Sequence, residues 1–248
     1  MGFYSGFADI NVREMLEKIK TDVRQLLAQD KSGHGYDHVE RVYEIAMKLA
    51  ESEKADRQIT ALAALLHDAD DYKLFGEEAA KNLTNARRIM AQNGVEENVS
   101  AAVCEIIRTM GYSKSLKGIR PQTLEGRIVS DADMLEAMGA AGLVRCLAYA
   151  LEKCHSGSNQ IFDENIWPQL NLSAEEYKKP NRRSDNFINH FFEKMLKLRN
   201  MMFTEAGRRE ADIRHRFMVD FLREFFREHD CPAWIEFLEK YEAEQNNN

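Results

Sequence analysis

The chain has 248 residues, of which 44% are hydrophobic, which is enough for one sizeable core, and nothing in the sequence demands a second domain. It carries 34 Lys and Arg against 41 Asp and Glu, a formal net charge of -7. This balance disfavours a large nucleic-acid-binding face, because phosphate polymers require a basic surface. Small phosphorylated ligands are not excluded, because a local positive pocket suffices for them.

The cysteines and the apolar runs indicate the cellular compartment of the protein. The four cysteines are scattered without a Cys-x-x-Cys pair, and the N-terminus lacks a signal-peptide pattern. No apolar run approaches the roughly 18 residues of a membrane-spanning helix. We therefore expect free thiols and a soluble, cytoplasmic protein that does not bind a membrane.

The first third of the chain shows apolar residues at intervals of three and four, which is typical of amphipathic helices. After a loose arm over residues 1–10, this period predicts helices at about 11–28, 37–52 and 57–68. Asp56 precedes the third of these as a predicted N-cap. Two glycines in the break between the first and second helices allow a sharp turn of the backbone.

The rest of the chain continues the helical pattern. Two helices are predicted at 77–93 and 96–108, and a long one from Leu124 to about Lys153. The segment 155–183 has no strong period and is interpreted as either a lid or a specificity loop. Three further helices are predicted, from Ser184 to about Leu198, from Thr204 to about Glu228, and from Cys231 onwards. Strand-like alternation is missing, so the predicted fold class is an all-α bundle.

An unusual stretch lies at the end of the third helix, where an apolar run leads into His67 and Asp68. These polar residues stand where the pattern otherwise requires a core. A buried carboxylate beside a buried imidazole needs compensation, and a divalent cation is the simplest source of it. Adjacent residues on a helix point about 100° apart, so the remaining ligands must come from other helices.

Two other segments offer such ligands. His38 shares the apolar face of the second helix with Val42, and the long helix carries Asp131 and Asp133 within an apolar pattern. The two aspartates are separated by about 200° around a helix, so we do not expect both to bind one ion. Two nitrogen and two oxygen donors suit Mn, Fe, Co, Ni or Zn better than Ca or Mg.

The order H…HD…D resembles the HD superfamily of metal-dependent phosphohydrolases. Phrases beyond the ligands look like its small, single-domain bacterial branch: HVERV, ALLHDADDYK, IVSDADMLEAMGAAGLVR and MMFTEAGRREADIRHRFMVDFLREFF. This resemblance extends from about residue 20 to about residue 228. It implies a helical HD domain that spans 1–248, with a core at about 20–153 and a C-terminal extension at about 184–243.

The resemblance also implies a ligand set. Matching the phrase Ala132-Asp133-Met134-Leu135 to the family's Ala-Asp-x-Leu makes Asp133 the ligand and leaves Asp131 as a runner-up or a neighbour. One divalent ion, with Mn, Ni, Co, Fe, Zn and Mg all open, would then be held by His38, His67, Asp68 and Asp133. Many members carry a histidine where this chain has Met110, so we expect a mononuclear site.

Asp71 and Lys73, which follow the HD pair, are candidates for catalysis. Asp71 is predicted either to accept a proton from a metal-activated water or to hold the ring N–H of His67. Lys73 is similar to a basic position of this branch and is predicted to hold a phosphoryl oxygen. Asp70, between them and the HD pair, is interpreted as part of a solvated turn.

Arg41 follows His38 by one helical turn, and three interpretations of it stay open. It could contact a substrate phosphate, orient Asp68, or pair with Glu40 or Glu44 on its own helix. The sequence favours none of these.

Two further residues are predicted to lie near the substrate. Lys114 belongs to the Ser- and Lys-bearing segment 110–121, which contrasts in charge with the acidic chain and resembles a phosphate-contacting loop. His34 lies in the glycine-bearing break before the second helix. Thr204 is predicted to cap a helix whose free N–H groups suit an anion.

The predicted function is hydrolysis of a nucleotide or another small phosphate ester by a metal-activated water. Two alternatives stay open: release of pyrophosphate from a nucleoside triphosphate, and a non-catalytic, metal-containing protein that senses a ligand. We expect a small phosphorylated substrate, with a nucleotide as the leading candidate, and no nucleic acid polymer. The sequence does not determine the oligomeric state.

Overall fold

Helices form all the regular secondary structure that the structure describes, in agreement with the predicted all-α class. The computed structural model describes residues 10–28, 35–155, 161–179, 182 and 184–246. The predicted N-terminal arm falls almost entirely outside these ranges. Contacts between residues divide the chain into two compact units, and the predicted single HD domain with its extension stays a prediction.

The first unit comprises the chain up to Glu136 together with Phe203–Gly207. Eight helices of the described residues belong to it: α1 (Ile10–Leu26), α2 (Tyr36–Glu53), α3 (Arg57–Leu66), α4 (Tyr72–Asn82), α5 (Thr84–Gln92), α6 (Glu97–Thr109), α7 (Tyr112–Ser115) and α8 (Leu124–Glu136). Helix α3 is at the centre of this unit, because it packs against α1, α2, α6 and α8.

The composition of α3 explains its central position. Every residue from Thr60 to Leu66 is buried, which fits a helix that is apolar on nearly all sides. Its N-terminus is capped as predicted, since the side chain of Asp56 accepts a hydrogen bond of 2.9 Å from the backbone N–H of Ile59. The buried body of α3 therefore holds its C-terminal end, where His67 and Asp68 follow, in a fixed place.

Two predicted helices are each divided in the structure. The predicted helix 77–93 is replaced by α4, which begins earlier, and α5, and Leu83 lies between them in a left-handed conformation with φ 54°. The predicted helix from Leu124 to Lys153 ends at Glu136, and the next begins at Gly139, whose φ is +70°. A glycine tolerates this φ without steric cost, so Gly139 interrupts the predicted long helix.

The second unit comprises Ala137–Met202 and Arg208–Asn248. Its helices in the described residues are α9 (Gly139–His155), α10 (Ala174–Lys178), α11 (Phe187–Glu193), a 3₁₀ helix (Met195–Met201), α12 (Glu205–Glu228, whose first residues belong to the first unit) and α13 (Pro232–Asn246). The helix predicted from Ser184 to Leu198 is thus a short α-helix followed by a 3₁₀ helix. Aromatic side chains fill the core of this unit, and Trp167 stacks on the buried Trp234 at 4.3 Å between ring centroids.

Within the described ranges, no single helix is both long and apolar enough to cross a membrane. One bent pair, Leu124–Glu136 with Gly139–Glu152, reaches that length and composition only when its two helices are taken together.

Candidate metal centre

The structure brings the predicted metal ligands together in the first unit: ligand atoms of His38, His67 and Asp133 all lie within 4.8 Å of one another, and Asp68 lies beside both imidazoles. Helix α2 contributes His38, the turn after α3 contributes His67 and Asp68, and α8 contributes Asp133. The Nε2 atom of His38 lies 3.2 Å from Nε2 of His67, 3.4 Å from Oδ2 of Asp68 and 3.6 Å from Oδ1 of Asp133. The Nε2 atom of His67 lies 3.5 Å from Asp68 Oδ2 and 4.0 Å from Asp133 Oδ1.

These spacings fit a shared cation. Two atoms that each bind a transition metal at about 2.1 Å lie about 3.0 Å apart when they are adjacent and about 4.2 Å apart when they are opposite. The five separations that involve an imidazole Nε2 atom, from 3.2 to 4.0 Å, fall within that interval. Two imidazoles and two carboxylates are also a donor set that suits a transition metal.

The orientation of both imidazoles supports the same interpretation. His67 Nδ1 lies 2.8 Å from the backbone oxygen of Ala64, which can only accept, so Nδ1 carries the hydrogen. His38 Nδ1 lies 2.9 Å from the carboxylate of Glu136 and donates for the same reason. In its neutral form, each ring would therefore direct the lone pair of its Nε2 towards the cluster, as a metal ligand requires.

The charge at this point favours a positive ion. Burial lowers the pKa of His38, but hydrogen bonds to Asp68 and Glu136 and the charges of Asp68 and Asp133 outweigh it and raise the pKa from 6.5 to about 9. Without a metal, the cluster thus keeps a proton on His38. A divalent cation would compete with that proton for the same position.

Glu136 is a part of this site that the sequence analysis missed. It is 1% exposed, and its two carboxylate oxygens accept hydrogen bonds of 2.9 Å from His38 Nδ1 and from Arg41 Nε. The partner of Arg41 is therefore neither of the two glutamates considered on its own helix, nor Asp68. The sequence did contain one signal for Glu136. It is an acidic residue one turn after Asp133 on an apolar helix, where a charged side chain is unusual.

Asp71 and Lys73 lie at the start of α4. The side chain of Asp71 accepts a hydrogen bond of 2.9 Å from the backbone N–H of Lys73 and so caps this helix. The predicted alternative in which Asp71 holds the ring N–H of His67 is wrong, because that N–H is directed to Ala64. The side chain of Lys73 is exposed. The proton-accepting role of Asp71 and the phosphate contact of Lys73 stay predictions.

The remaining predicted substrate contacts have mixed outcomes. Lys114 lies in α7, and its ammonium group donates a hydrogen bond of 2.7 Å to the backbone oxygen of Ile107. A phosphate could therefore bind only through the remaining N–H groups of this ammonium. His34 lies outside the described residues.

Asp131 has a different role from Asp133, two residues later. It is fully buried and accepts hydrogen bonds of 2.8 Å from the backbone N–H groups of both Phe203 and Thr204, and one of 2.7 Å from the hydroxyl of Thr204. Thr204 caps α12 as predicted, because its hydroxyl oxygen accepts a hydrogen bond of 2.9 Å from Gly207 N, and the N–H of Ala206 on the same helix donates to the carboxylate of Glu53. Asp131 anchors this segment while Asp133 faces the cluster of histidines.

Asp70 is not part of a solvated turn, which corrects the sequence-based interpretation. It is buried, and its two oxygens accept hydrogen bonds of 2.8 Å from Asn85 N and 2.9 Å from Ala86 N. It therefore caps the N-terminus of α5, where Leu83 provides no side-chain cap.

Comparison with known proteins places this site in a family. The model of the HD domain matches residues 35–138, which include all four predicted ligands. The YpgQ protein of Bacillus subtilis is 33% identical over 218 residues, which cover 88% of this chain and 94% of YpgQ. The chain belongs to the HD superfamily.

Solved structures of this superfamily agree with the fold. A protein from Lactobacillus plantarum has a TM-score of 0.73 at 36% identity, over 88% of this chain and 97% of its own. An HD-superfamily hydrolase from Bacillus thuringiensis has a TM-score of 0.66 at 34% identity, over 88% and 98%. The structure of YpgQ in complex with ADP has a TM-score of 0.66 at 26% identity, over 88% and 97%. The predicted HD fold is confirmed.

Proposed function

We propose that this HD protein is a metal-dependent phosphohydrolase that acts on a nucleotide or another small phosphate ester. The convergence of two imidazole nitrogens and two carboxylate oxygens within 4.0 Å of His38 and His67 carries the proposal. The ADP complex of YpgQ, a relative with the same fold, supports a nucleotide as the substrate. The similar protein from Bacillus thuringiensis, which is named an HD-superfamily hydrolase, supports hydrolysis as the reaction class.

The four ligands would hold one divalent ion, which when bound would activate a water molecule and neutralise charge on the phosphoryl group. The chain's own residues supply the rest. Hydrogen bonds to Ala64 and Glu136 keep the two imidazoles in the tautomer that presents Nε2. Asp71 would accept the proton of the attacking water, and Lys73 and Arg41 would bind phosphate oxygens.

Two alternatives differ in product or in activity. Release of pyrophosphate from a nucleoside triphosphate needs the same metal site, so only product analysis separates it from release of phosphate. A non-catalytic protein that senses a ligand would keep the metal and the fold but would show no turnover.

A metal-resolved assay tests the proposal. Purified protein is incubated with Mn, Co, Ni or Mg and a panel of nucleotides, and phosphate and pyrophosphate are quantified. We expect turnover with at least one transition metal, and we expect His67→Ala to lose bound metal together with at least about 100-fold in activity. Asp71→Asn keeps a residue that can cap α4 but removes the base, so it should retain the metal and lose about 100-fold or more in kcat.

Matched controls separate these effects from misfolding. Asp220 is an exposed carboxylate on α12 that pairs with Arg223, and Asp220→Asn should leave both metal content and turnover unchanged. Metal without turnover on any nucleotide would favour the sensing protein. Wild-type protein that binds no transition metal would contradict the proposal.

A further inference from the structure

Glu136 joins two residues that the proposed function assigns to different ligands. One oxygen of its carboxylate accepts from Nδ1 of the metal ligand His38, and the other accepts from Nε of Arg41, each at 2.9 Å. The carboxylate thus stands between the metal position and an arginine that is proposed to bind phosphate. It belongs to α8, whereas both of its partners belong to α2.

The burial of this carboxylate makes its geometry rigid. Glu136 is 1% exposed and the side chain of His38 is 2% exposed, so both ends of their hydrogen bond are shielded from solvent. A buried carboxylate is tolerated only while its oxygens are paired, which fixes the donors as firmly as the acceptor. A movement of His38 therefore displaces the carboxylate of Glu136 and, through it, Arg41, and the reverse also holds.

Arg41 has the opposite character at its outer end. Its Nε donates inwards, but 42% of its side chain is exposed. The guanidinium group also carries donors on both terminal nitrogens, in a planar arrangement that matches phosphate oxygens. Arg41 can therefore hold the buried carboxylate and bind an anion from solution at the same time.

We propose that Glu136 is a positioning residue that couples His38 to Arg41, so that metal binding and phosphate binding strengthen each other. This inference rests on the proposed function and deepens it. A metal on Nε2 makes the Nδ1–H of His38 a stronger donor, which tightens its bond to Glu136 and holds the carboxylate that orients Arg41. By thermodynamic reciprocity, an anion that immobilises Arg41 improves the affinity for the metal.

A purely structural role makes different predictions. If Glu136 served only to join α2 to α8, its loss would lower the melting temperature without changing the metal affinity of the folded protein. Removal of the half-exposed Arg41 would then have no effect at the metal at all. Metal affinity in the absence of substrate therefore separates the two roles.

The test measures Mn²⁺ affinity by calorimetry, without substrate, in wild type, Glu136→Gln, Arg41→Ala and the double variant. We expect Glu136→Gln to weaken Mn²⁺ binding by about 10- to 100-fold. Arg41→Ala, which removes no group that contacts the metal, should weaken it by several-fold. The double variant should be no weaker than Glu136→Gln by more than about twofold, because both changes break one chain of contacts.

Two controls match these variants in the same unit. Glu53→Gln neutralises a glutamate that holds the backbone N–H of Ala206, and Arg24→Ala removes an exposed arginine that pairs with Glu40. Neither residue contacts His38, so both variants should bind Mn²⁺ as wild type does. Circular dichroism shows whether every variant is folded.

A spectroscopic measurement reports on the proposed contact itself. In Zn²⁺-loaded protein labelled with ¹⁵N-histidine, the Nδ1–H proton of His38 should resonate far downfield, because its acceptor is a carboxylate. It should move upfield in Glu136→Gln and, by a smaller amount, in Arg41→Ala. The affinity for α,β-methylene-ADP, which is not hydrolysed, should gain less from Mn²⁺ in both variants than in wild type.

The outcomes are distinct. Mn²⁺ affinities of folded Glu136→Gln and Arg41→Ala equal to that of wild type would overturn the coupling but leave the proposed function intact. Wild-type protein that binds no Mn²⁺, Co²⁺ or Ni²⁺ would instead defeat the proposed function itself. Arg41→Ala keeps the buried carboxylate, so it tests the coupling even if Glu136→Gln does not fold.

Discussion

At the scale of single residues, one buried histidine controls how the site responds to pH. His38 is surrounded by three carboxylates, and its pKa in the metal-free protein is about 9 because two hydrogen bonds and nearby negative charge outweigh its burial. Below that pH a metal must displace the proton, so binding of the metal releases it. Metal affinity should therefore rise with pH up to about 9 and then level off.

The proton on His38 sets the slope of metal affinity against pH. Between pH 6.5 and 8.5, displacement of the His38 proton should strengthen Mn²⁺ binding by up to tenfold per pH unit, as measured by calorimetry in buffers of different ionisation enthalpy. The same titrations should report up to one proton released per metal. A pH-independent affinity without proton release would show that His38 is already neutral in the metal-free protein.

The residues that the sequence could and could not identify differ in a physical way. His38, His67 and Asp68 were found because polar residues interrupt apolar helical patterns, whereas the choice of Asp133 over Asp131 came from the resemblance to the HD superfamily. The four residues lie together in the structure. Glu136 and Asp70 were missed because their partners are defined by tertiary contacts between helices, which periodicity does not encode. The sequence also offered several partners for Arg41 and could not choose among them.

At the scale of helices, the positions of the buried helices were predictable and their interruptions were not. The period of α2, α3 and α6 is strong, since each has an apolar face or body that must be buried. Leu83, at the break between α4 and α5, is a non-glycine residue in a left-handed conformation. The side chain of Asp70 caps the first N–H groups of α5, which explains why this helix begins directly after Leu83.

The start of α12 provides a prediction at this scale. A Cβ on Gly207 would lie 2.4 Å from Oδ2 of the buried Asp131 and 2.9 Å from Oγ1 of Thr204. A helical Gly→Ala change usually stabilises a protein, but here the clash should reverse the sign. We expect Gly207→Ala to lower stability by about 1–3 kcal/mol, a fall of about 2–12 °C in melting temperature.

A control on the same helix makes this prediction specific. Arg209→Ala replaces an exposed side chain by the best helix former and should change stability by less than about 0.5 kcal/mol. Equal or higher stability of Gly207→Ala would mean that Asp131 moves easily and does not anchor the segment that begins α12.

At the scale of the whole molecule, the candidate metal ligands all belong to one of the two compact units. They come from α2, from the turn after α3, and from α8, which lie far apart in the chain but pack together around α3. A bound ion would cross-link these elements, because none could separate locally without losing a ligand. The second unit contributes none of the four predicted ligands.

Hydrogen exchange followed by mass spectrometry can locate this effect. A hundredfold excess of Mn²⁺ over its dissociation constant stabilises the binding-competent state by about 2.7 kcal/mol, which corresponds to about 100-fold slower local opening. We expect this slowing in peptides from α2, α3 and α8, much less in α11 and α13, and full reversal by EDTA. His67→Ala should remove it, whereas Asp220→Asn should preserve it. Protection centred on α11 and α13, or none in α8, would mean that the ion binds elsewhere, because a cation held by the four predicted ligands must restrain the helices that carry them.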